Sequence, residues 1–262
     1  ADREDPILLE TYRFEGGLQQ ARMKDGYVYL VTRQFNWFGI PELPVIARGE
    51  SAERIAASSI FRFPVPYENP QTTLISSFSI SDLDEPESVG IVTEGDVTLY
   101  MSHDNIYLAS TKTVNSWQIQ LQTIIDLIEP ELSREDQDLI DRIRDTDNDI
   151  LSKSEKQAKI LTIVQPYVQS LSDQEKEEFE DAAEEAFIQR ISSYEYLQTT
   201  LLSRIEYADG TMDVAADGQV PGRVNNQFSL DERDGVLRIA TTVDERWELP
   251  EDMRSESENI VT

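Results

Sequence analysis

Apolar and polar positions follow a period of two at both ends of this chain and a period of three to four in its middle, which predicts strands flanking a block of amphipathic helices. The clearest strand unit is Gln219 to Val243. Phe228 and Leu230 fall at period two between Asn226 and Asp231, and Val236 to Val243 is dense in β-branched residues, with Asp234-Gly235 between the runs. Asp-Gly in that setting marks a hairpin. The unit recurs as Leu18 to Thr32 around Asp25-Gly26 and as Asp96 to Thr111 around Asp104-Asn105. Three copies make this a β-repeat protein.

Taken in order, Ile7 to Phe14, a turn at Gly16-Gly17 and the run ending in Tyr27 to Thr32 predict a three-stranded meander. From Phe35 to Pro70 the prolines at 41, 44, 64, 66 and 70 predict irregular chain without ladders, anchored by Phe35, Trp37, Phe38, Phe61 and Phe63. A second unit is predicted to begin at Thr73 and run through Val89 to Glu94 into the Asp96–Thr111 copy. After the helices the β pattern resumes with an Asp209-Gly210 turn.

Between Trp117 and Tyr196, Ile124, Ile128, Ile140, Ile143, Leu161, Val164, Phe179, Ala183, Phe187 and Ile191 recur at helical spacing and predict a small bundle with its own core. Ser133, Ser152 and Ser172 each stand three residues before a carboxylate, which predicts helix starts. Pro130 should separate two helices and Pro166 should kink or break another. The expected fold class is therefore mainly β with an α-helical insertion: a partial β-propeller of about three four-stranded blades plus a small helical subdomain. Its divisions are residues 1–116, 117–196 and 197–262.

Charge narrows the partners. With 51 acidic against 23 basic residues the net charge is -28, and only six of the basic residues are Lys. Such a surface suits concentrated salt, which screens self-repulsion, and it offers no basic patch for nucleic acid. Cysteine is absent, so disulfides and thiolate chemistry are excluded. No apolar run reaches the ~18 residues of a membrane span, and the chain carries no recognisable export signal of its own.

Candidate chemistry is sparse. Asp145, Asp147 and Asp149 match positions 1, 3 and 5 of an EF-hand calcium loop, but Ile150 stands where the turn needs Gly and Lys156 where the bidentate Glu belongs. They are weak calcium candidates, with an acidic turn capping the next helix as the plainer reading. His103 is the single histidine. Its neighbour Ser102 would point to the opposite strand face, so the two make a poor nucleophile and base. Paired acids such as Asp231-Glu232 and Asp82 with Asp84 follow from composition. No catalytic constellation, cofactor motif or Gly-rich phosphate loop emerges.

Four stretches carry a family resemblance. Val220 to Thr242 (VPGRVNNQFSLDERDGVLRIATT), Ala21 to Thr32, Ser102 to Thr111 and the closing SESENIVT resemble archaeal and bacterial secreted proteins with a β-propeller domain distantly related to WD repeats. The helical insertion resembles that of haloarchaeal-type members. The resemblance implies a propeller fold and export to the outside or the cell surface. The expected function is a non-enzymatic module binding a protein, glycan or other cell-surface component, with the helical insertion as the part expected to meet the partner. The alternative is a hydrolase or other enzyme with an acidic site at the propeller channel, completed by further chain.

Overall fold

The computed structural model describes residues 5, 7–35, 43–67, 69–82, 86–95 and 97–262. Trp37, Phe38, Pro41, Asp84 and Asp96 lie outside them. The first half contributes β1 (Tyr12–Phe14), β2 (Gly17–Lys24), β3 (Tyr27–Phe35), β4 (Val45–Arg48), β5 (Ser51–Arg54), β6 (Ile60–Phe61), β7 (Gln71–Ser79), β8 (Glu87–Thr93), β9 (Val97–Met101) and β10 (Asn105–Thr113). Helices α1 (Ser116–Ile128), α2 (Arg134–Asp145), α3 (Lys153–Ser170) and α4 (Asp173–Ser192) follow. Then come β11 (Gln198–Ala208), β12 (Thr211–Pro221), β13 (Leu230–Arg233), β14 (Val236–Val243) and β15 (Glu258–Val261).

The strands form four sheets, ordered β1-β4-β5, β2-β3-β7-β8-β6, β9-β10-β11-β12 and β13-β14-β15. Their turns follow the chemistry of the sequence. Asp25-Gly26, Asp209-Gly210 and Asp234-Gly235 all have positive φ at both residues, as a two-residue hairpin turn requires. Strand β10 lies between two cores. Ile106 and Leu108 meet Tyr29, Val31, Ile75 and Ile91 of the five-stranded sheet, while Tyr107 and Ala109 meet Leu230 and Ile239 of the β13-β14-β15 sheet. Alternation along one strand thus sends successive side chains to opposite cores and stacks the sheets in chain order.

Several expectations are corrected. Only Tyr12 to Phe14 of the Ile7–Phe14 run is strand, and it pairs with β4 instead of forming a meander with β2 and β3. Its rings stack instead on Phe78, Tyr12 at 6.0 Å and Phe14 at 6.1 Å. The proline-rich stretch does hold a ladder, the β4-β5 hairpin, because Pro44 precedes it and Pro64, Pro66 and Pro70 follow it. Strands β7 and β8 pair with β3, so the boundary between repeats falls after Thr93, not before Thr73. Sheets of three, five, four and three strands replace three equal blades, and the described residues do not close into a ring. Phe228 sits in a 3-10 turn, Gln227–Ser229, and is 87% exposed, not strand.

The chain divides into two compact units, one comprising 1–113, 198–245 and 256–262, the other Val114–Leu197 with Arg246–Ser255. The helical unit is therefore wider than residues 117–196 and includes a segment from late in the chain. It leaves and rejoins the β unit at neighbouring positions, since Thr113 pairs with Gln198. Its core is Ile125, Ile128, Ile140, Ile143, Ile160 and Val164, with Leu121, Ile124, Leu161 and Phe179 packed around it. Ser152 with Glu155 and Ser172 with Glu175 form reciprocal capping boxes, and Ser133 accepts from the Asp136 N–H. Helix α3 runs unbroken through Pro166. The same face carries Ile160 and Val164 before the proline and Val168 after it into one core, so packing outweighs the lost backbone hydrogen bond.

Candidate functional site

The hairpin tip between β9 and β10, Ser102 to Asp104, is where the polar side chains of the β unit converge. On one side Lys24, at the end of β2, reaches the His103 carbonyl and donates to the Tyr207 hydroxyl at 2.6 Å. Its ammonium lies 4.8 Å from the Tyr207 ring centroid. That hydroxyl sits 3.0 Å from the Ser102 carbonyl and 2.9 Å from the His103 carbonyl. Tyr29 packs edge-on against Tyr207 at 5.0 Å, and burial raises its hydroxyl pKa to about 12, with the Tyr207 phenol adding to the shift.

On the other side Glu232 of β13 accepts from Ser102 Oγ and, at 2.8 Å, from Asn105 Nδ2. Its backbone N–H donates to the Tyr100 hydroxyl at 3.0 Å. Burial first, and then the Glu232 charge, raise the Tyr107 pKa to about 12. These groups hold three sheets to one turn. Ser102 Oγ also accepts the N–H groups of Asp104 and Asn105, at 3.3 and 3.0 Å, so its lone pairs serve the turn. A third tie joins β2 to the chain ahead of β13: Gln20 Nε2 and Arg22 Nη2 both donate to Gln227 Oε1, at 3.0 and 2.7 Å.

The single histidine is 88% exposed in its side chain and pairs through Nδ1 with Asp104 Oδ1 at 2.7 Å. It does not meet Ser102. Asp145 is the last residue of α2 and Asp147 and Asp149 follow it, all three exposed, and Asp147 Oδ1 accepts from the Asp149 N–H at 3.0 Å. Ser152 caps α3, so the three aspartates do not. No group of three or more His, Asp or Glu side chains able to hold a metal occurs among the described residues. Glu232 was visible in the sequence only as one acid among many, and neither Lys24 nor Tyr207 carried any signal of its partner. Their contacts span 127 and 183 positions, beyond the reach of local spacing.

In the helical unit a shallow cleft of about 530 Å³ is lined by Gln122, Asp126, Glu129, Pro130, Gln137 and Arg144. Its charges are engaged: Arg144 holds both oxygens of Glu129, at 2.7 and 2.6 Å, and Arg190 holds Asp126 at 2.8 Å. Glu129 accordingly raises the Arg144 pKa further above its already high value.

Four sheets built on antiparallel hairpins, three of them following one another in chain order and pinned through one turn, define a propeller-like β-repeat. The chain belongs to the β-propeller domain family, whose profile matches residues 1–262. It is 30% identical over 239 residues to an uncharacterized protein of Archaeoglobus fulgidus, a match covering 88% of this chain and 37% of the relative. A second uncharacterized protein, from Methanocaldococcus jannaschii, is 23% identical over 256 residues, covering 92% of this chain and 38% of that protein. The chain thus spans less than two-fifths of the length of these relatives. No solved structure matches it. No helix among the described residues is long and apolar enough to cross a membrane.

Proposed function

We propose that this chain is a non-enzymatic interaction module of an extracellular or cell-surface protein from a high-salt environment, with the helical unit carrying the binding surface. The observation behind this reading is where the reactive groups are spent. Ser102, Glu232, Lys24 and Tyr207, the hydroxyl, carboxyl and amine groups a catalytic site would need, serve as ties between sheets. The large exposed indoles, Trp117 and Trp247, lie instead on the helical unit. A surface that keeps Trp in water is an interaction surface by its energetics.

The test is co-sedimentation with cell envelopes from an organism that encodes the protein, in molar NaCl. The 262-residue chain should pellet. A variant in which residues 116–196 are replaced by a short Gly-Ser linker and Trp247 is changed to Ala, so that both exposed indoles are removed with the helices, should remain in the supernatant while keeping its β circular dichroism. If the intact chain stays in the supernatant, surface binding is excluded, and if the deletion variant still pellets, the binding face lies on the sheets.

A further inference from the structure

Two separate excursions of the chain bring exposed aromatic rings to one end of the helical unit. Trp117 stands in the first turn of α1, and Tyr194 follows the last turn of α4. The Val114 N–H donates to the Leu197 carbonyl at 2.8 Å and holds these ends together. The later excursion is fastened to the same place, because Arg246 donates to the carbonyls of Tyr194, at 2.8 Å, and Glu195. Trp247 follows Arg246 directly, so the backbone that carries it is anchored at the Tyr194–Glu195 segment. Trp117 is 63% and Trp247 67% exposed, and Tyr194 and Met253 are exposed as well.

The charges around these rings are one-sided. Arg246 is spent on carbonyls. Arg254 donates to the Leu249 carbonyl at 2.7 Å and lies 5.3 Å over the Trp247 ring. Glu195, Glu248, Glu251 and Asp252 are exposed and enter no ion pair among the described residues. Across the helical unit, 23 acidic and 10 basic residues leave a net charge of -13. What this end presents is aromatic faces edged by unpaired carboxylates.

From this charge complementarity we infer that the end of the helical unit formed by Trp117, Tyr194 and Trp247 binds a basic segment of a partner protein, seating Arg or Lys side chains over the indoles. The inference rests on the interaction-module reading above and names its partner class. Ring faces attract cations through their quadrupole, most strongly for Trp. The unpaired carboxylates would complete the charge-assisted hydrogen bonds of a guanidinium. A polyanion is repelled by the same groups, and an apolar partner would have to desolvate four carboxylates without compensation. Arg254 over Trp247 is an internal instance of the proposed contact.

The probe is a peptide of alternating Arg and Gly, titrated calorimetrically into the 262-residue chain at about 1 M NaCl, where screening within about 3 Å removes long-range attraction. Trp117→Ala and Trp247→Ala should each weaken binding about tenfold, the upper range of an exposed to partly desolvated cation–π contact. Trp247→Phe should recover part of the loss, and the same peptide with citrulline for Arg should not bind. Equal affinity in the Trp variants would reduce the association to diffuse polyelectrolyte attraction and overturn the inference. So would absence of binding, or a citrulline peptide or neutral oligosaccharide binding as tightly as the Arg peptide. Envelope sedimentation of the same variants separates the two readings: if the intact chain pellets but the peptide result fails, the module stands and its basic partner falls.

Discussion

Asn105 Nδ2 donates to Glu232 Oε1 at 2.8 Å, tying the first residue of β10 to β13 in the next sheet. Ser102 Oγ takes the other carboxylate oxygen, so one side chain satisfies two donors of the turn. Asn105 is itself buried, and removing its acceptor would strand an amide away from water. Glu232→Ala is expected to destabilise the β unit by about 1–3 kcal/mol. Glu232→Gln keeps one acceptor and should lose less. Urea midpoints at constant slope check this, and an alanine variant within a few tenths of a kcal/mol of the parent would show that the tie is redundant.

What the sequence made legible follows from range. Asp25-Gly26, Asp209-Gly210 and Asp234-Gly235 were readable because a positive φ at two successive positions is a local demand that few residues meet. Capping boxes at Ser152 and Ser172 were readable for the same reason. The allocation of strands to sheets was not, since β7 and β8 look alike whether they pair with β3 or with β9. Phe228 and Leu230 mimic strand alternation, yet Asn226 Oδ1 accepts from the Phe228 N–H and turns the chain there. In the candidate site the turn residues Ser102 to Asn105 were visible. Glu232 and Lys24 were not, because a polar contact between distant segments leaves no periodic trace.

Gly222 ends the β12 segment with φ +78, and a Cβ there would lie 2.6 Å from the Thr242 carbonyl oxygen. Backbone, not a yielding side chain, is the obstacle. The adjacent Arg223 bridges to Thr242 in both directions at 2.9 Å and grips Asp244 through Nε and Nη2, at 2.9 and 3.3 Å. Gly222→Ala must therefore break this register as well as adopt a left-handed backbone. Gly235, at φ +74 with open space around it, supplies the control. Gly235→Ala should cost about 1–2 kcal/mol from conformation alone, and Gly222→Ala measurably more. Comparable thermal shifts for the two would show that the Thr242 contact relaxes freely.

Alkaline pH should open the sheet cores before it opens the helices. Tyr29 and Tyr107 both have pKa values raised to about 12, chiefly by burial, against an ordinary value of 10.0. For an acid whose folded pKa is raised, the neutral form is the folded one. Its stabilising contribution is complete below pH 10 and is lost as pH climbs towards 12. Glu155 and Glu175 run the other way, since hydrogen bonds from Ser152 and Ser172 lower their pKa values below 4.5. Their contribution is present above pH 4.5 and fades below it. Stability profiles should thus fall on both sides, with Tyr107→Phe flattening the alkaline limb only. An unchanged alkaline limb in that variant would assign the loss to other groups.

The net charge of -28 makes stability depend on screening. Several ion pairs of the chain are well exposed, as in Arg238 with Asp231 at 3.1 Å, and exposed pairs contribute little, so they do not offset the excess. At 0.1 M salt the screening length is about 10 Å and carboxylates on neighbouring turns repel, whereas at about 1 M it is about 3 Å and they do not. The thermal midpoint should therefore rise by several degrees between about 0.1 and 2 M NaCl. Salt also strengthens apolar burial in many proteins, so the rise alone is ambiguous. Helix α4 separates the two causes, because Glu177, Glu178, Glu184 and Glu185 crowd its exposed surface. Changing these four to Gln removes like charges without touching the core. The quadruple variant should be more stable than the parent at low salt and should gain less from added NaCl. If its salt response matches that of the parent, repulsion is not what the salt relieves, and the acidic surface serves another purpose than tolerance of brine.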